Sequence, residues 1–217
     1  LSHVVRPFLA IFKQNTGKIT IFSRASYRFS DKIKCIIKEH LMNRYALFSD
    51  VSLNPGLKLG FGAYLLIPSS VLEIPPEGLA QPEFARQIKL RRFDATSSTK
   101  LEVQTLLWAL EDFQKEASGS RFGTLDVYSD SQCVTGLLRR RGRLEIHGFC
   151  SGRTERPLKN ACLYRKFYEL YDALGFEVIK VAGHSRSSAH DSIHRIFSFV
   201  DKEAGRALRL FMKESED

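Results

Sequence analysis

Asp50 stands inside the run Arg44 to Leu53, where Tyr45, Leu47, Ser49 and Val51 alternate with Ala46, Phe48 and Asp50. A period of two predicts a strand. A carboxylate within an otherwise apolar strand is costly to bury unless something pairs with it. Asn54-Pro55-Gly56 follows as a strong turn signal. A second strand-length run, Lys58 to Ile67, completes a hairpin with a longer loop.

The rest of the chain supplies helices and further strands. Residues 68–82 hold four of the seven prolines and read as an irregular insertion. Ile88 to Ala95 reads as a third strand. Thr96 to Thr99 supply capping hydroxyls for a helix over Lys100 to Lys115, whose apolar face includes Leu101, Leu107, Trp108 and Leu110. Thr124 to Ser129 reads as a fourth strand, and Ser131 opens a short helix. A basic, glycine-broken stretch spans Arg139 to Arg156. A helix over Leu158 to Leu174 ends at Gly175. Phe176 to Ala182 reads as a fifth strand, and a final helix starts near Ser192. Hairpin strands first and helix-linked strands later predict an α/β fold: a five-stranded mixed sheet with helices on both faces.

The 217 residues fit one domain with an extension, and a hydrophobic content of 43% excludes a disordered chain. Residues 1–44 carry nine Lys/Arg against Asp31 and Glu39, which is +7 of the total net charge of +9. Residues 1–43 are therefore read as a basic N-terminal extension, with a strand over Lys18 to Arg24 and a helix over Asp31 to Asn43 capped by Ser30. The main domain is expected over 44–217. A sequence pI of about 9.5 points to a polyanionic partner, of which nucleic acid is the commonest. A basic protein without such a partner is the alternative.

No window reaches the roughly 18 unbroken apolar residues of a membrane span, so no membrane association is expected. Cys35, Cys133, Cys150 and Cys162 lack CxxC spacing, and His190 and His194 lack the glutamate of a zinc-binding HExxH pattern. Reduced thiols fit a reducing compartment, here the cytoplasm, with organellar targeting left open.

Four acids stand where chemistry is expected. Asp50 and Asp130 lie at strand ends, Glu102 in the first turns of a helix, and Asp201 in the last helix. Acids at strand ends of an α/β sheet converge where sites form. Clustered carboxylates repel one another and take up protons unless a cation intervenes. Mg²⁺ prefers such oxygens and keeps several waters.

Several segments resemble the type 1 ribonucleases H. Phe48-Ser49-Asp50-Val51-Ser52-Leu53-Asn54-Pro55-Gly56, continued by Gly60-Phe61-Gly62-Ala63, is similar to the family's acid-led strand and turn. Thr96-Ser97-Ser98-Thr99-Lys100-Leu101-Glu102, running into Trp108-Ala109-Leu110-Glu111, resembles the segment with the catalytic glutamate. Tyr128-Ser129-Asp130-Ser131-Gln132 is similar to the Asp-Ser-Gln motif. Pro157-Leu158-Lys159-Asn160, Val181-Ala182-Gly183-His184 and Val200-Asp201-Lys202-Glu203-Ala204 follow in the family's order.

The resemblance implies a metal-dependent endonuclease that hydrolyses the RNA strand of an RNA–DNA hybrid. By it, Asp50, Glu102, Asp130 and Asp201 would hold two Mg²⁺ ions, with Mn²⁺ as a substitute. Two such ions about 3.5–4 Å apart can activate water and stabilise a leaving oxygen. His184 would shuttle protons, with His190 as its rival and Asp191 as a weaker rival for the fourth acid. Ser98, Thr99 and Gln132 would touch RNA in the minor groove, where 2′-hydroxyls distinguish RNA from DNA. Ser97 and Asn160 would grip a DNA phosphate. Asn54 belongs to the implied substrate contacts, and Arg139, Arg140 and Arg141, with Arg143, stand where many members carry a basic handle. A solvated charged face is the alternative for these arginines.

The chain departs from the family pattern in places. Val51 replaces the usual glycine after the first aspartate, and Ser98 and Thr99 replace asparagines. The loop from His184 to Asp201 is longer than usual. A ribonuclease H-fold nuclease for structured RNA or DNA, and a non-catalytic nucleic-acid-binding module, are therefore the alternatives. No small-molecule cofactor is implied. The expected state is a monomer, or part of a larger replication or reverse-transcription protein.

Overall fold

The computed structural model describes residues 9–13, 19–23, 44–117, 123–182 and 191–215. Leu1–Asn43 and Arg44–Asp217 are two compact units. In the first, strands β1 (Leu9–Lys13) and β2 (Ile19–Ser23) pair antiparallel. The helix expected over 31–43 lies outside the described residues.

The second unit is built on β3 (Tyr45–Asn54), β4 (Leu59–Pro68), β5 (Lys89–Phe93), β6 (Leu125–Ser129) and β7 (Glu177–Lys180). Their order across the sheet is β5-β4-β3-β6-β7. The β3–β4 and β4–β5 pairs are antiparallel, and β3–β6 and β6–β7 are parallel. The helices are α1 (Gln81–Ala85), α2 (Ser98–Ala117), α3 (Gln132–Thr135), α4 (Leu137–Ile146), α5 (Ala161–Leu174) and α6 (Ser192–Glu214). This is the expected α/β architecture, a five-stranded mixed sheet consistent with a ribonuclease H-like fold.

Strand alternation sorts the core onto both faces. Leu47, Tyr64 and Val127 face a cluster with Leu106 and Leu110 of α2 and Phe167 and Leu170 of α5. Ala46, Phe48, Ala63, Leu65 and Tyr128 face a second cluster with Ile196, Phe199, Val200 and Ala204 of α6. Phe48 and Tyr128, partners in the parallel register, stack at 4.7 Å between ring centroids. With both faces covered, β3 is a central strand held by packing from two sides.

Two elements differ from expectation. The proline-rich insertion is ordered into two short 3₁₀ turns, Ser69–Glu73 and Pro76–Gly78, followed by α1. Leu79, Phe84 and Ile88 pack under α6, with Phe84 and Phe199 stacked. The basic stretch is not broken at its first glycine, because α4 runs through Gly142. Leu137 and Leu144, seven residues apart, are buried on one helix face, and that burial outweighs the roughly 1 kcal/mol a helical glycine costs. The helix ends at Ile146, and the chain then turns away through Gly148 and Phe149, both with positive φ.

One close approach positions α2. A Cβ on Gly60 would run into Leu101 and the Ser52 carbonyl, and one on Gly62 would run into Thr105. Leu101 and Thr105 bracket Glu102, so glycines on β4 let the helix lie low enough to bring that acid to the edge of β3. Gly62→Ala is expected to destabilise the protein by about 1–3 kcal/mol through overpacking, with part of the loss recovered in the double variant with Thr105→Ala. Urea denaturation checks this. An unchanged midpoint in the single variant would mean that the helix can retreat freely.

Candidate metal and nucleic-acid site

The site begins where the parallel pairing ends. β3 continues to Asn54, so Asp50 is not at the end of its strand as expected. The β3–β6 ladder stops at Phe48 and Tyr128. Two residues beyond this last pair lie Asp50 and Asp130, which leave the ladder side by side. β6 stops because Ser131 caps α3, its Oγ accepting from the Val134 amide at 3.2 Å. Glu102 arrives from the second turn of α2. Ser49, Asp50, Val51, Glu102, Ser129, Asp130 and Ser131 line one pocket.

Asp201 approaches from α6, which packs on the opposite face of β3 from α2. Its charge, with those of Asp130 and Glu102, acts on Asp50. Burial first, then Asp130, then Asp201 and Glu102 push the Asp50 carboxyl from 3.8 up to about 8, against the Val51 amide, which donates to Oδ1 at 2.8 Å. All four expected acids therefore bear on one locus.

Glu102 is held on both oxygens. Ser98 Oγ donates to Oε1 at 2.9 Å, and Ser131 Oγ donates to Oε2 at 2.5 Å. Among the described residues, no three His, Cys, Asp or Glu side chains stand as a ready-made metal-ligating group. The lining is nevertheless a set of hard oxygen donors, the chemistry that suits Mg²⁺ or Mn²⁺.

The other expected residues fall into three groups. Ser97 and Thr99 are exposed at the start of α2, beside Glu102, and Gln132 is exposed at the start of α3, next to Ser131. Asn54 closes the hairpin turn, accepting from the Leu57 amide at 3.1 Å, while its Nδ2 lies 3.6 Å from Met212 Sδ. Asn160 precedes α5, and its carbonyl accepts from the Tyr164 amide.

The three arginines separate as well. Arg139 is exposed. Arg140 donates to the Cys133 and Gly136 carbonyls, tying α4 to α3. Arg141 pairs with both oxygens of Asp172 and with Glu145, over the Tyr168 ring. His184 and His190 lie outside the described residues. Asp191 caps α6, accepting from the His194 amide at 2.7 Å, with the His194 Nδ1 2.8 Å from the same oxygen. The sequence reading missed Ser131 as a partner of Glu102, and also Ser49 and Ser129. In the sequence Ser131 reads as a helix start and as part of the Asp-Ser-Gln motif, and its partner Glu102 is 29 residues away.

No family model and no curated protein matches the chain. Among solved structures, the chain is similar to a foamy viral protease–reverse transcriptase determined in complex with double-stranded DNA, at 8% identity and a TM-score of 0.48, over 75% of this chain and 94% of that one. No described helix is long and apolar enough to cross a membrane.

The raised Asp50 carboxyl has a consequence for stability. The unfolded chain releases this proton near 3.8, whereas the folded protein keeps it to about 8. Folding therefore binds a proton between these values, and stability falls as pH rises through that window. In chelator, Asp50→Asn is expected to raise the melting temperature at pH 8 and leave it nearly unchanged at pH 4, a difference of a few kcal/mol. Thermal melts at the two pH values check this. An equal effect at both would mean that Asp50 carries no such load.

Proposed function

We propose that this chain is a nuclease that uses divalent metal to hydrolyse phosphodiester bonds, and that its substrate is the RNA strand of an RNA–DNA hybrid. The observation that carries the reading is one pocket lined by Asp50, Glu102 and Asp130, in which burial and the repulsion of Asp130, Asp201 and Glu102 push the Asp50 carboxyl up to about 8. Gathered acids repel one another, and a divalent cation relieves that repulsion. Asp50, Glu102, Asp130 and Asp201 would hold Mg²⁺, or Mn²⁺ in its place. When bound, the metal supplies Lewis-acid stabilisation of charge on the phosphoryl oxygens and lowers the pKa of water.

The chain's own groups do the rest. The carboxylates orient the water and accept its hydrogen bonds. Ser97, Thr99 and Gln132, at the helix starts around the pocket, suit contacts to sugar hydroxyls and phosphates, and Ser98, whose hydrogen goes to Glu102, suits accepting from a sugar hydroxyl. Exposed Arg139, with Arg143 beyond it, would meet the backbone at a distance from the reacting bond. Arg140 and Arg141 are committed within the protein, so they support the shape of α4 rather than the substrate. His184 would move the proton at the leaving oxygen.

The test is cleavage of a labelled RNA–DNA hybrid with Mg²⁺ and with Mn²⁺, beside double-stranded RNA and DNA. The RNA strand of the hybrid alone is expected to be cut, and Asp130→Asn is expected to lower the rate by at least about 100-fold, the cost of losing one preorganised electrostatic contact. Chelator should abolish cutting, and added metal should restore it. Cutting of another duplex would overturn the substrate and keep the metal chemistry. Binding to the hybrid with no cutting in either metal would overturn the nuclease.

A further inference from the structure

Glu102 is a candidate ligand whose carboxylate is anchored at both oxygens, by Ser98 and by Ser131 of the pocket lining. We propose that Ser98 and Ser131 are positioning residues for Glu102, a two-hydroxyl clamp that preorganises its carboxylate for a divalent ion. This rests on the metal-dependent reading given above and names two residues on which that site depends.

The argument starts from hydrogen-bond capacity. A hydroxyl has one hydrogen to donate and two lone pairs, and a carboxylate has about four acceptor positions. Ser98 gives its hydrogen to Oε1 and Ser131 gives its hydrogen to Oε2. Each serine occupies one acceptor position on one oxygen, so each oxygen keeps another toward the pocket that Glu102 lines with Asp50 and Asp130. Hydrogen bonds to an ionised acceptor are roughly twice as strong as neutral ones. The clamp thus orders a long, rotamer-rich side chain before any ion arrives. Hydrogen-bonding partners behind metal-ligating carboxylates act in this way generally.

The two serines come from different elements. Ser98 is the first residue of α2, one turn before Glu102, and it is exposed. Ser131 is buried at the head of α3, directly after Asp130. Its lone pair caps α3 through the Val134 amide while its hydrogen goes to Glu102. Ser131 therefore fixes Glu102 relative to Asp130, and no other residue type except threonine can both cap and donate through one short hydroxyl.

The test is calorimetric titration of the full chain with Mn²⁺, with melting temperatures in chelator measured alongside. Ser98→Ala and Ser131→Gly are each expected to weaken Mn²⁺ binding by about 10-fold, the lower end of what such outer partners contribute. Glycine keeps most of the cap, since it costs only a few tenths of a kcal/mol there. Ser98→Thr and Ser131→Thr are expected to bind as the parent does. Unchanged Mn²⁺ affinity in both serine variants, with weakened binding in Glu102→Gln, would overturn the clamp and leave the metal site standing. A lowered melting temperature with unchanged affinity in Ser131→Gly would reduce Ser131 to a cap and overturn its part. No Mn²⁺ binding by the parent, or full binding by Glu102→Gln, would remove the clamp together with the metal role assigned to Glu102.

Discussion

Repulsion among carboxylates beside β3 is the constraint around which the second unit is organised. Asp50 cannot relax away from Asp130, because both lie two residues beyond the last rung of a parallel ladder, and that rung, Phe48 and Tyr128, is a stacked aromatic pair in the core. Nor can Asp201 drift, because Val200 and Ala204, on either side of it along α6, are fully buried under the sheet. The apolar packing on both faces supplies the stabilisation, and the acid cluster draws on it. Strained or destabilised clusters of this kind persist where the surrounding structure over-determines them.

Glu102 reaches the cluster by a different route. It rides on a helix whose height above the sheet is set by what β4 lacks, namely side chains at Gly60 and Gly62. Its orientation is then set by hydroxyls from its own first turn and from the head of α3. Backbone approach and side-chain direction are thus controlled separately, the first by steric room and the second by charge-assisted hydrogen bonds. The basic helix α4 shows the converse economy. Arg140 and Arg141, side by side in sequence, are spent on carbonyls and carboxylates of neighbouring helices, which leaves Arg139 at the surface.

Much of this was legible in the chain. The alternation in Tyr45 to Leu53, the Asn54-Pro55-Gly56 turn and the apolar spacing of Leu101 to Leu110 are local patterns, and strands β3 and β4 and helix α2 follow them within a residue or two. The ends were less legible. β7 is shorter than its apolar run, and α5 starts at Ala161 rather than Leu158, because 157 pairs back to Cys150 across the preceding loop. Gly142 read as a break because glycine is a local signal, whereas the burial of Leu137 and Leu144 that overrides it is not.

What the sequence by itself determined was the inventory and its spacing: which acids exist, which faces are apolar, and where chains must turn. Those features depend on residues a few positions apart. Only the tertiary structure decided which groups meet. Asp50 and Asp130 are joined by strand register, Glu102 and Ser131 across 29 residues, and Arg141 and Asp172 across 31. The physical reason is that a hydrogen bond or a repulsion between distant residues depends on where packed elements place them, and no local propensity encodes that placement.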